Sequence, residues 1–148
     1  MKKLCLLPVL LLLFAPVIFS QETGVFPPRA ILNAAYAGDV EMVKLILKTN
    51  PDKDVRDGLG GTALHVAVLQ NNLEILKLLL DNGFDKNAAA KNGYTPLHYC
   101  VWINNVEAAK ILVSYNADRD IKDNNGQTPM QMATKDAKRD ILLVLARR

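Results

Sequence analysis

The sequence predicts an all-α solenoid, in which about four copies of a two-helix repeat stack side by side. The first observation behind this prediction is a period of 33 residues, because 60–92 and 93–125 are identical at twelve of 33 aligned positions. The second is the spacing of leucines within a copy, since Leu73, Leu76 and Leu80 follow the interval of one helix face. A single pair of short helices cannot bury its own apolar faces. Stacked neighbours can, so we expect one continuous core through the array.

Four copies fit this period, and the first and last are atypical. Their bounds are 29–59, 60–92, 93–125 and 126–148, and a short linker over residues 21–28 precedes them. The first copy lacks the Thr-Pro-Leu-His motif, and the last is truncated. Atypical end copies are expected, because an end repeat has one face in water.

The first helix of a copy is expected to begin after a threonine, which is a preferred N-cap residue. Proline follows in two copies at the first helical position, where its missing N–H costs nothing. We expect this helix to end near Leu69, Trp102 or Lys135 in successive copies. The capping threonines are Thr62, Thr95 and Thr128, and the prolines are Pro96 and Pro129.

The second helix is predicted over residues such as 73–81 and 106–115. Gly83 is expected to end it in the left-handed conformation, which glycine adopts without strain. Asn50 and Asn116 replace this glycine in other copies, and asparagine tolerates the same geometry better than most residues. The polar stretch that follows must turn the chain back toward the next helix pair.

The first twenty residues have the features of a secretory signal peptide. Lys2 and Lys3 precede an apolar stretch over residues 4–19, and Ser20 supplies a small residue before the expected cleavage point. A helix of that length spans roughly 24 Å, short of the ~30 Å hydrocarbon core. The alternative is an uncleaved N-terminal anchor. We expect an extracytoplasmic protein, periplasmic or secreted, of bacterial type.

Charge and cysteine content limit the possible functions. Without the two lysines of residues 1–20, the net charge falls from +3 to +1, which argues against a surface that binds nucleic acid. Cleavage would also remove Cys5 and leave Cys100 alone. No internal disulfide is then possible, so packing must hold the domain together.

The recurring motif resembles the ankyrin repeat. Residues 93–98 read G-Y-T-P-L-H, residues 60–67 read G-G-T-A-L-H-V-A, and residues 125–133 read N-G-Q-T-P-M-Q-M-A. The resemblance covers about residues 29–148. It implies helix pairs joined by β-hairpin-like fingers in an L-shaped, slightly curved stack, and it implies that the protein binds other proteins.

The candidate chemical groups are better explained by structure than by catalysis. His65 and His98 lie in the repeated motif, where similar repeats use the ring to hydrogen-bond loop backbone. Cys100 occupies the position of Ala67 and Ala133, which favours a buried, inert thiol. The G-x-G-x-x-A stretch at residues 58–63 lacks the preceding strand of a dinucleotide site. We therefore expect no catalytic residue, no metal site and no cofactor.

The resemblance also implies where a partner would bind, on the concave surface lined by the fingers and the exposed ends of the first helices. Aromatic and aliphatic residues recur in those columns, and such residues suit binding hot spots. The alternative is that Tyr36 and Trp102 lie against neighbouring fingers as partial core. The expected partner-binding residues are Tyr36, Leu69, Gln70, Tyr94, Trp102 and Ile103, with Lys91, Asn92, Asn124 and Asn125 as a polar rim.

The sequence thus predicts an exported, monomeric ankyrin-repeat module that binds a protein partner through its concave face. It predicts no nucleic acid partner, and no membrane association once the signal is removed. Two alternatives remain at this point. One is a membrane-tethered scaffold that keeps residues 4–19, and the other is an inhibitor or immunity-like protein that covers an enzyme.

Overall fold

A computed structural model describes residues 26–136 and 138–146. Within these residues the chain forms helices and no strands, which confirms the predicted all-α repeat solenoid. The predicted signal peptide lies outside the described residues, as do residues 21–25 of the predicted linker. The helices are α1 Ala30–Ala37, α2 Val40–Leu47, α3 Ala63–Leu69, α4 Leu73–Asp81, α5 Pro96–Ile103, α6 Val106–Ser114, α7 Pro129–Lys135 and α8 Arg139–Ala146.

The helices form two layers. The first helices of the pairs, α1, α3, α5 and α7, contact one another in chain order, and so do the second helices α2, α4, α6 and α8. The core lies between the layers, where Leu64, Leu76 and Leu97 are fully buried. Each pair therefore buries its apolar faces against the next pair, as the period requires.

The predicted N-caps are confirmed. The backbone N–H of His98 donates to Thr95 Oγ1, and that of Gln131 donates to Thr128 Oγ1. Pro96 is the first residue of α5, as expected from the sequence. These contacts satisfy backbone donors that the first helical turn leaves without a partner.

The helix ends differ from the predicted ones by one residue in two places. Helix α5 extends one residue past Trp102, because Asn104 takes the left-handed conformation and ends the helix after Ile103. Helix α6 ends at Ser114, because the cap residue Tyr115 has already left helical geometry, with ψ of 13°. The predicted left-handed residues are confirmed, since Gly83, Asn50 and Asn116 all have positive φ.

Three fingers connect the helix pairs, over residues 57–61, 90–94 and 123–127. Each finger is closed by two backbone hydrogen bonds, such as those from Ala90 N to Tyr94 O and from Gly93 N to Ala90 O, both at 2.9 Å. Neighbouring fingers are also bonded to each other, from Lys91 N to Leu59 O at 3.0 Å and from Asn124 N to Asn92 O at 3.1 Å. The fingers therefore stack as a row beside the helices.

Gly93 and Gly126 allow the contact between fingers to be tested. Both have positive φ, so alanine at either position is strained by about 1 kcal/mol or more. A Cβ on Gly93 would lie 2.5 Å from Asn124 N, whereas one on Gly126 would meet nothing within 4 Å. We expect G93A to lower the free energy of unfolding by about 1–3 kcal/mol more than G126A, measured by urea denaturation. Equal losses would show that the fingers do not support one another.

Candidate functional site

The residues predicted to bind a partner lie on the first-helix layer and the fingers. We call the surface formed by these six residues the docking face. Its two most exposed hydrophobic members are Trp102, at 56 %, and Tyr36, at 45 %, and Tyr94 is half-buried. Their role in binding stays a prediction, but both large aromatic side chains are accessible to solvent. The six residues are Tyr36, Leu69, Gln70, Tyr94, Trp102 and Ile103.

Tyr36, at the end of α1, is held by the first finger. Its hydroxyl donates to Asp57 Oδ2 at 2.7 Å, and Asp57 Oδ1 accepts from the backbone N–H groups of Leu59 and Gly61, each at 2.8 Å. The bond to Asp57, followed by burial, raises the pKa of Tyr36 to about 12, so the hydroxyl remains a donor at neutral pH. Burial alone would raise the pKa of Asp57, but the three donated hydrogen bonds lower it, so this carboxylate is ionised.

Trp102, at the end of α5, rests on a tyrosine that the sequence interpretation missed. The Tyr99 ring meets the Trp102 ring edge-on, with centroids 5.9 Å apart, and meets the Tyr94 ring in the same way at 5.7 Å. Tyr99 itself is only 6 % exposed. We call Tyr94, Tyr99 and Trp102 the aromatic group. Edge-to-face pairs of this kind fix the orientation of each ring.

Tyr99 was missed because its column of the repeat is buried in the two neighbouring copies, at Val66 and Met132. The first copy has the exposed Asn33 at this position. The available signal was size, since a tyrosine between copies that carry Val66 and Met132 must reach toward a polar or exposed edge. Tyr99 is the buried ring of this group. The alternative that Tyr36 and Trp102 lie against neighbouring fingers as partial core stays open, since Tyr36 bonds to the first finger.

A second residue that sequence reasoning missed is Leu59, at the tip of the first finger. Leu59 is 70 % exposed, although hydrogen bonds of both its backbone N–H and its carbonyl group hold it in place. Its N–H donates to Asp57, and its carbonyl accepts from Lys91 N in the next finger. The sequence signal is an apolar residue between two glycines, which is explained above only as part of the G-x-G-x-x-A stretch. That stretch forms the finger and the start of α3.

The two histidines have the structural role that was expected. His65 Nδ1 accepts from the Thr62 N–H, and His65 Nε2 lies 3.0 Å from the Tyr94 carbonyl of the next finger, to which it donates. His98 repeats this arrangement with Thr95 and the Gln127 carbonyl. Burial lowers the pKa of His65 to about 4 and lowers that of His98, so both rings are neutral at pH 7.

Cys100 is fully buried in α5. Burial raises the pKa of its thiol, which keeps the thiol protonated and unreactive at neutral pH. This confirms the interpretation of an inert core cysteine.

The described parts of the chain give two further results. Over residues 26–136 and 138–146, no helix combines the length and apolar character needed to cross a membrane. Within those same residues, no group of three or more His, Cys, Asp or Glu side chains is arranged to hold a metal ion.

A family model described as ankyrin repeats (3 copies) matches the chain over residues 9–90, 31–123 and 88–148. The overlapping matches cover most of the sequence. A comparison with curated proteins found no significant match.

Because both histidines are buried and neutral, we predict that the free energy of unfolding falls in acid. Each histidine has a pKa near 6.5 when unfolded, so the unfolded chain takes up protons that the folded chain does not. The contribution of these histidines to stability is therefore full above about pH 6.5 and falls below that pH, by up to about 1.4 kcal/mol per pH unit for each ring that stays neutral, and for His65 the fall continues to about pH 4. Urea denaturation between pH 7.5 and 4.5 measures this slope.

The variant H65Q is the matched control for this prediction. Gln131 already takes the capping role in α7, where its Oε1 accepts from the Thr128 N–H at 2.9 Å. Glutamine does not titrate, so H65Q should be less stable than the natural chain at pH 7.5 but show a shallower loss in acid. An unchanged slope would mean that His65 is not responsible for the loss.

Proposed function

Because the chain belongs to the ankyrin-repeat family, we propose that it binds one protein partner through the docking face. Ankyrin repeats are generally non-enzymatic modules of protein–protein interaction. The observation that carries the proposal is that two exposed aromatic side chains are already held in place, Tyr36 by Asp57 and Trp102 by Tyr99. Side chains that are ordered in advance lose less conformational entropy when a partner binds.

The composition of the docking face suits an interface. Tyrosine and tryptophan are the residues most often found at hot spots, where truncation costs ~2 kcal/mol or more. Leu69 and Leu59 add exposed apolar surface beside them, and the polar rim of Asn92 and Asn124 surrounds the finger tips. An apolar centre with a polar rim is the usual anatomy of a binding surface.

The module acts by binding and not by chemistry. Both histidines are neutral and occupied by backbone groups, and the Cys100 thiol is buried. The protein therefore needs no cofactor for the proposed role. We further propose a monomer that binds no nucleic acid, in keeping with a net charge of +1 for residues 21–148.

We propose that the protein is exported by residues 1–20. The two lysines and the apolar stretch up to residue 19 support this, and an exported protein would meet its partner outside the cytoplasm. We expect N-terminal sequencing of the protein from the extracytoplasmic fraction to begin at Gln21. A sequence that begins at residue 1 or 2 would instead show a membrane-tethered scaffold.

Alanine substitutions on the docking face test the binding proposal. We expect W102A and Y36A each to reduce the affinity for the native partner by roughly 10- to 100-fold, because each removes an ordered aromatic anchor. The partner is first captured from the native extracytoplasmic fraction and then titrated against each variant. Helical circular dichroism should be unchanged, because both side chains are largely exposed.

The control is L143A, since Leu143 is 59 % exposed but lies on α8 in the second-helix layer. Its affinity should match that of the natural chain. Equal binding by W102A, Y36A and the natural chain would contradict the proposed site. An activity assay on the captured partner then separates an adaptor from an inhibitor.

A further inference from the structure

We propose that the docking face recognises an arginine side chain of the protein partner, whose guanidinium bonds to the Asp57 carboxylate and lies against the Tyr36 ring beside the aromatic group. This inference rests on the proposed function and adds the chemistry of the partner. It follows from three observations: an ionised carboxylate that forms no ion pair among the described residues, an exposed tyrosine ring bonded to it, and a contrast with a second aspartate in the same repeat position.

The Asp57 carboxylate retains capacity to accept hydrogen bonds. Its Oδ1 accepts from the two backbone groups of Leu59 and Gly61, and its Oδ2 accepts only from Tyr36. A carboxylate offers about four acceptor positions, so Oδ2 can accept one more donor. Among the described residues, no Lys, Arg or His forms an ion pair with Asp57.

The nearest arginines of the chain are engaged elsewhere. Arg56 Nη1 donates to the carbonyls of Gly60, at 3.0 Å, and Ala89, at 2.8 Å, and thereby joins two fingers. Arg29 Nη2 donates to the Arg56 carbonyl at 3.0 Å. The charge of Asp57 is therefore left for a cation from outside the described residues.

The ring bonded to this charge favours arginine over lysine. The Tyr36 ring is exposed and tied to Asp57 through its hydroxyl. The Tyr99 ring lies edge-on to the His65 ring, with centroids 5.1 Å apart, and the pKa of Tyr99, raised first by burial, is raised further by the Asp57 charge. A cation is attracted to aromatic faces, and the planar guanidinium can stack on a ring while one of its N–H groups bonds to a carboxylate.

A comparison with Asp123 separates the hydrogen bonds of Asp57 that stabilise the turn from those that do not. It lies two repeats after Asp57, and its Oδ1 accepts from the N–H groups of Asn125 and Gln127 in the same turn geometry. Its Oδ2 is met at 3.4 Å by the Asn125 side chain, and the residue is buried. The turn thus explains the bonds of Asp57 Oδ1, whereas Oδ2 of the partly exposed Asp57 bonds to Tyr36 instead of to its own turn.

The opposite electrostatic possibility, an acidic segment, is less well supported. The exposed Lys122 and Lys135 lie toward the fourth repeat, and Lys91 of the second finger is bonded through its Nζ to the Gly58 carbonyl. The exposed Tyr36 ring and the Asp57 carboxylate lie in the first repeat, and the aromatic group lies in the third. We therefore assign arginine to the aromatic part of the face and make the acidic segment an outcome of the experiment.

The experiment is an NMR titration of the full chain with defined peptides. The probe is acetyl-Gly-Leu-Arg-Leu-Gly-amide, and the control replaces arginine by citrulline, which has the same shape without the charge. We expect the arginine peptide to shift the amide resonances of Leu59 and Gly61 and the indole resonance of Trp102 in a saturable way. The citrulline peptide should bind at least tenfold more weakly, and added salt should weaken the arginine peptide selectively.

Three variants complete the test. D57N removes the charge but keeps an oxygen for the turn, and it should reduce arginine-peptide affinity at least tenfold. D123N is a control that alters the equivalent turn. D81N is a control that removes the charge of the Tyr115–Asp81 pair on the second helices. Both variants should bind the arginine peptide as the natural chain does. Equal binding of the citrulline peptide, or preference for a glutamate peptide, would overturn the inference even if D57N failed to fold.

The peptide titration and the test of the proposed function can fail independently of each other. If W102A and Y36A lose the native partner while the arginine peptide does not bind, the docking face stands and the assigned chemistry is wrong. If the arginine peptide binds but those variants keep the native partner, the site exists but is not the one that the partner uses.

Discussion

The structure depends on a buried histidine that bonds one repeat to the next. His65 accepts a backbone hydrogen bond from the start of its own helix and donates to the Tyr94 carbonyl of the following finger, and His98 does the same one repeat later. Because the ring is neutral and buried, it can serve as acceptor and donor at once. Helix and finger are thereby fixed relative to each other, and the fingers can line up beside the helices.

This arrangement assembles the docking face from several repeats. Tyr36 belongs to the first copy, its acceptor Asp57 begins the first finger, and Tyr99 and Trp102 belong to the third copy. No single repeat contains both the Tyr36–Asp57 pair and the aromatic group. Each exposed ring is ordered within its own copy, Tyr36 by the hydrogen bond to Asp57 and Trp102 by the buried Tyr99 ring.

The sequence alone predicts the repeat and its local geometry well, and the contacts between repeats poorly. The period locates the threonine caps, the left-handed Asn50 and the histidine role, because these depend on neighbours within one motif. It misses Leu59 and Tyr99, and it gives no sign of the Tyr36–Asp57 bond. Those features depend on how each finger folds beside its helix pair and on how far each side chain reaches, which a one-dimensional period does not specify.

The bonds between fingers also determine how such a surface can change over evolution. Each 33-residue unit meets its neighbours through the same backbone contacts, from Lys91 to Leu59 and from Asn124 to Asn92. Insertion or loss of a whole unit between the two anchors can therefore preserve the stack. It changes the distance between Tyr36 and Trp102 by the thickness of one repeat. The distance between anchors is a multiple of the repeat thickness. Specificity for partners of different length can therefore evolve by a change in the number of repeats as well as by substitution of residues.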